Sequence, residues 1–426
     1  MTGRRPTLSK RTFRITALAT ALATGAALLA GCGLVPGTTA GAGDEAVTVM
    51  TWAPERTAAT NMPGMPAMAQ AYARWVNAHG GLGGRTLKVL TCNDHNDSVG
   101  AAKCARAAVD RHVVAVVGSY SQHGRAFLSP LEAAGIPYIG GYGVTDAEFT
   151  SPLSYPVNGG QAALLAGNGE QLAATCGRTV LVRPDTIAGD GLPALLDTGL
   201  ALRDRPAATD LRAAEDATDY GDAARRALAT ASAGPAGEGC VAAVLGERTD
   251  TFFDSFRRLR DDYPAVRTST VLGSVDQSVI DRTGGANSPY EGAYVTGWYP
   301  AADDERWGPM RKAVGEHAFG DNRIDPADAG VQTTWIAYTV LKQAVEGLGD
   351  GEVSARALRI ALDKGAEVTT GGLTPPLRWG YDHMSAAGDY PRLVNARVTF
   401  QKVTRGHLVA SREGQVDVTD TLAKAP

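Results

Sequence analysis

The sequence lacks the short signatures that announce catalysis. Across 426 residues there is no GxSxG, no GxxxxGK[ST] and no HExxH, which removes the nucleophile elbow, the phosphate-cradling loop and the zinc-protease helix. Cysteine is scarce, with five in all and no paired CxxC, and the seven histidines are scattered. A zinc site therefore has no ligand set to rest on, and no metal or cofactor is expected. Asp94-His95-Asn96-Asp97 reads as a loop entering a helix. One glycine pattern, Gly189-Asp190-Gly191-Leu192-Pro193-Ala194, fits GxGxxA, but it stands back from the preceding strand, where a dinucleotide cradle would be continuous with it.

A strong charge of one sign is also missing. Lys and Arg number 41 against 45 Asp and Glu, so there is no basic field to neutralise phosphates, and nucleic acid is not an expected partner. No internal repeat stands out beyond a loose similarity between two α/β halves.

Where the chain does carry a long apolar run, it is at the start. Arg4, Arg5, Lys10, Arg11 and Arg14 precede Ile15 to Ala30, and the run ends in LLAGC, Leu28 to Cys32. This pattern is a signal peptide over 1–31. Ala30 and Gly31 before Cys32 resemble a bacterial lipobox, which implies a diacylglyceryl group on Cys32 and membrane attachment through two acyl chains. Residues 32–45, rich in Gly, Thr and Ala, read as a flexible tether. SKRTFRI, Ser9 to Ile15, also resembles a weakened twin-arginine signal.

Four further cysteines, 92, 104, 176 and 240, allow three pairings. Cys92 with Cys104 would join a strand end to the following helix. Cys176 and Cys240 each precede an apolar strand, so neighbouring parallel strands would bring them together.

Hydrophobic residues make up 44%, enough for two cores, and a chain of this length exceeds what one core usually holds. Apolar runs alternate with helical patterns: VTVMTW, a helix bearing Met65, Met68, Tyr72, Trp75 and Val76 on one face, LKVLTC, VVAVVG, IPYIGG, then TVLV, VAAVLG, STVLG and AYVTGWY. That alternation predicts an α/β chain of mostly parallel sheets wrapped by helices. Near the end, ARVTFQKV and HLVASRE predict a β-hairpin turned at Thr404, Arg405 and Gly406.

NAHGGLGGRTLKVLTCNDHND, AAVDRHVVAVVGSYSQHG and PLEAAGIPYIGGYGVTDAEFT, followed later by EGAYVTGWYP, QTTWIAYTVLKQAVEG and TTGGLTPPLRW, resemble in order and spacing the type I periplasmic solute-binding proteins of branched-chain amino acid and amide importers. The resemblance spans Ala46 to Val418. It implies two lobes, 46–156 with 298–373 and 157–297 with 374–422, joined by three crossings near Tyr155 to Asn158, Thr296 to Tyr299 and Gly371 to Pro376. It further implies a non-enzymatic, extracytoplasmic, monomeric protein that captures a small polar molecule of the amino-acid or amide kind and hands it to ABC permease subunits. A receptor lobe pair signalling to a membrane kinase and an exported hydrolase are the alternatives.

Ligands of open parallel sheets sit beyond the carboxyl ends of the strands, which singles out four loops. Ser119, Tyr120 and Ser121 follow one strand; Tyr142, Val144 and Thr145 follow the next, with Thr145 matching the family's carboxylate grip. In the second lobe Asp185 and Thr186 follow TVLV, while Glu247 and Asp250 follow VAAVL. The resemblance assigns a ligand ammonium to the last loop, with Asp250 as the first candidate and Glu247 as its substitute. Relatives carry an aromatic residue where this chain reads IAGDG, Ile187 to Gly191, so Tyr142, Trp298 or Tyr299 would have to supply the aromatic wall.

Overall fold

A computed structural model describes residues 46–425 except 236 and 386. The signal segment, Cys32 and the tether lie outside the described residues.

The first sheet contains β1 (Val47–Trp52), β2 (Leu87–Cys92), β3 (Ala115–Val117), β4 (Tyr138–Ile139) and β5 (Ser154–Tyr155), in the order β2-β1-β3-β4-β5. All its pairings are parallel, so each strand must return through a crossover helix. The helix Gly64–Ala78 buries Met65, Met68, Tyr72 and Val76, and it packs with the long helix Ala329–Glu346 through the Tyr72 and Trp335 rings, 5.1 Å apart.

The second sheet contains β6 (Arg178–Pro184), β7 (Thr209–Ala213), β8 (Gly239–Ala243), β9 (Arg267–Val271), β10 (Tyr294–Gly297), β11 (Arg397–Thr404) and β12 (His407–Ala410), in the order β12-β11-β10-β9-β8-β6-β7, with β13 (Val416–Asp417) also on β11. From β7 to β10 the pairing is parallel, and β11 joins antiparallel to β10. The hairpin between β11 and β12 closes on Arg405 and Gly406, both at positive φ (53° and 78°). That geometry follows the right-handed twist of the strands.

Both disulfides are present, Cys92 with Cys104 and Cys176 with Cys240, at sequence separations of 12 and 64. Loop-closure entropy gives such bridges about 3 and 4 kcal/mol respectively. The second joins the starts of β6 and β8, which are hydrogen-bonded neighbours.

The chain passes between the sheets three times, and buried side chains tie the passages together. At the first, Asn158 donates to the Tyr299 hydroxyl at 2.9 Å. At the second, Trp298 donates to the Gly160 carbonyl at 2.9 Å. The third passage lies later than the expected Gly371 to Pro376. Trp379 still packs on Tyr155 and donates to Pro156, Tyr390 packs on Phe149, and Arg392 lies over the Tyr155 ring, all on the first lobe. Only at Asn395, which donates to the Val157 carbonyl, does the chain leave for β11. Aromatic burial, invisible as a strand or helix pattern, holds this irregular stretch on the first lobe. Among the described residues no helix is long and apolar enough to cross a membrane.

Candidate functional site

The carboxyl ends of the two sheets face one another, and the loops leaving them line one cleft. From the first lobe come Thr60, Met62, Tyr120, Gln122, Tyr142 and Val144; from the second come Thr186, Glu215, Val244, Glu247, Leu272 and Ser274. Pro184, Ala188, Leu192, Leu164 and Val271 add apolar wall. The cavity measures about 60 Å³, against roughly 300 Å³ or more for ordinary small-molecule sites. The lobes therefore stand close together.

Hydrogen bonds across the cleft hold that approach. Glu215 Oε1 accepts from the Thr60 hydroxyl at 2.7 Å and from Gln122 Nε2 at 2.6 Å. Glu247 accepts from the Asn61 amide at 3.3 Å, and Arg248 donates to the Ala58 carbonyl. Glu247 keeps much of its surface at the rim, yet protein crowds its inner side, and this desolvation raises its pKa.

The aromatic wall is Tyr142 and Tyr120, buried rings 5.1 Å apart in edge-to-face contact. Trp298 lies behind them with its ring 5.1 Å from Tyr142, and Tyr299 belongs to the crossing. Gly273, at φ +89°, lets the Tyr142 hydroxyl come against the backbone of the opposite lobe; any side chain there would collide with it.

Of the residues singled out in the sequence, Tyr120, Tyr142, Val144, Thr186 and Glu247 meet at the cleft. The others lie outside its lining. Ser119 is buried and accepts from the Trp52 amide, while Ser121 caps the turn at His123. Asp185 is exposed with Arg212 at 3.7 Å, and Asp250 is held 3.7 Å from Arg282. Thr145 turns inward: its amide and hydroxyl, with the amides of Gly143 and Val144, all donate to the buried carboxylate of Glu148.

Glu215, Thr60 and Gln161 line the cleft and Glu148 holds the loop after β4, none of them singled out in the sequence. Glu215 follows β7, a strand whose TDLRA sequence is mostly solvent-facing and lacks the apolar run that marks its neighbours. Arg183 locks this edge in place, pairing with Asp210 at 2.9 Å and Asp190 at 2.8 Å while itself buried.

A model of the periplasmic binding proteins matches residues 57–390. The chain belongs to that family. Membership places this periplasmic binding protein outside the cytoplasm and among solute-binding proteins rather than enzymes. Similar solved structures include a possible leucine/isoleucine/valine-binding protein from Rhodopirellula baltica SH 1, at 15% identity and TM-score 0.71, covering 86% of this chain and 96% of that one. A fatty acid ABC transporter substrate-binding protein from Thermomonospora curvata is 14% identical at TM-score 0.70, covering 90% and 95%. A branched chain amino acid ABC transporter from Thermus thermophilus with bound valine is 13% identical at TM-score 0.69, covering 88% and 97%. At these identities the likeness establishes the two-lobed type I fold; ligands follow the cleft of each protein. No curated protein matches the chain.

Proposed function

We propose that this binding protein is the extracytoplasmic, lipid-anchored solute receptor of an ABC importer, closing its lobes around a small polar solute of the amino-acid or amide kind and presenting it to the permease as a monomer. The observation that carries this reading is the single cleft between opposed strand ends, with apolar walls and a few polar groups from both lobes. Glu247, which lines the cleft, is the proposed contact for the solute's donating end, in place of Asp250. The proposed lobes are 46–156 with 298–373 and 157–297 with 374–422, with the segment through Arg392 added to the first on the contacts described above.

Capture by hinge closure requires an equilibrium between open and closed forms. Glu215 bridges the lobes through two hydrogen bonds to a charged group, interactions worth about 1.5–3 kcal/mol each. Glu215→Ala is expected to move the population toward the open form by tenfold or more, read as a larger radius of gyration in solution scattering. An unchanged radius, together with no thermal shift from any compound of a metabolite panel, would remove the hinge-capture reading. The anchor is tested separately: Cys32→Ser is expected to release the protein from the membrane, and full retention would reject lipidation.

A further inference from the structure

We propose that the solute carries a positively charged amine on an apolar body and has no free carboxylate. This rests on the solute-capture reading above, keeping the amino end of the amino-acid kind and setting aside its carboxylate and the neutral amide.

Three observations combine. Among the described residues no lysine, arginine or histidine lines the cleft, and its carboxylates are Glu215 and Glu247. An anion enclosed here would face like charges with no counter-ion, whereas an ammonium would meet two partners. Glu215 engages its neighbours through Oε1 alone among the described residues, which leaves Oε2 for a donor.

The second observation concerns the place where a carboxylate would otherwise go. Amides at a strand end suit an anion, but those of Gly143, Val144 and Thr145 already bond the Glu148 carboxylate at 2.9 to 3.1 Å. Glu148 is 2% exposed. The protein has filled its own anion seat.

Third, Tyr142 lines the cleft at 5% exposure, and its hydroxyl makes no hydrogen bond among the described residues. Its ring and that of Tyr120 meet edge-to-face. Tyrosine faces flanked by carboxylates attract organic cations, and the free hydroxyl offers an oxygen to an N–H.

Matched triplets separate the charges while holding the apolar body constant: isopentylamine, leucine and 4-methylpentanoate; 2-phenylethylamine, phenylalanine and 3-phenylpropanoate. Titration calorimetry on the full mature protein at neutral pH is expected to show each amine binding at least tenfold more tightly than its amino acid, with the acids weakest. Glu247→Gln should weaken amine binding about tenfold without weakening the acids. An amino acid or acid that binds as well as its amine overturns the proposal while leaving solute capture intact, as does an unchanged amine affinity in Glu247→Gln. If none of the six binds, the cation assignment fails; a thermal shift with a neutral amide would then keep the capture reading, and silence across that panel would remove both.

Discussion

Glu148→Ala is expected to destabilise the protein by about 4 kcal/mol, since leaving a buried donor unpaired costs about 1–3 kcal/mol and the Glu148 carboxylate satisfies three amides and a hydroxyl. Water cannot readily replace it, because Tyr138 and the backbone at Gly141 enclose the carboxylate and a side chain at 141 would strike both Tyr138 and Glu148. Burial pushes the Glu148 carboxyl up to about 7, against the lowering effect of its amide donors. Its charge is therefore near balance at neutral pH, and the hydrogen bonds rather than the charge make up its contribution. Glu148→Gln, which keeps one carbonyl oxygen, should lose less than the alanine variant. Chemical denaturation of the three proteins measures the order; an alanine variant within about 1 kcal/mol of the parent would mean that the loop reorganises around other acceptors.

The contrast between Glu148 and Glu215 shows what a sequence can and cannot disclose. Parallel α/β architecture, both disulfides and the hairpin at Arg405 were legible because each depends on local periodicity, on cysteine placement or on turn chemistry. The loops after β3, β4, β6 and β8 were legible too, since each follows a buried apolar run. β7 is an edge strand with two exposed leading residues and no such run, so its loop went unsearched and Glu215 with it. Glu148 was hidden differently. An acid early in a short helix ordinarily faces water and favours the helix dipole, and only the fold reveals that this one turns back to bind three amides. Thr145 was read as a grip for a ligand carboxylate, whereas its amide and hydroxyl donate to the protein's own Glu148. Likewise Asp250 and Glu247 lie within one helical turn, and which of them faces the cleft depends on the start of the helix Arg248–Arg257.

Stability is expected to fall as pH rises from 5 to 8, and Asp328 is expected to be a main cause. Asp328 caps the helix Ala329–Glu346 in the first lobe by accepting from the Val331 amide at 2.8 Å. Asp276 caps the helix Gln277–Arg282 in the second by accepting from Val279 at 2.8 Å. Desolvation raises Asp328 to about 7, with the charges of Asp276 and Asp325 adding to it. Asp276 rises to about 6 through desolvation and Asp325, opposed by Arg282. Between pH 4 and 7 the folded protein thus holds protons that the unfolded chain has released, so unfolding free energy declines through that window and levels off above it. With Glu148 contributing in the same direction, the loss is on the order of several kcal/mol, at about 1.4 kcal/mol per pKa unit. Carboxylates held low by arginine, such as Asp304 at about 2 and Asp321, titrate below the window and do not mask it. Asparagine caps a helix as well as aspartate, so Asp328→Asn should preserve the helix start, match the parent at pH 5 and exceed it at pH 8. Because Asp276 and Asp328 belong to opposite lobes, the same substitution should also favour the closed form at high pH. Equal pH profiles for parent and variant in thermal unfolding would show that Asp328 ionises freely and that its cap, not its charge, is what the helix start requires.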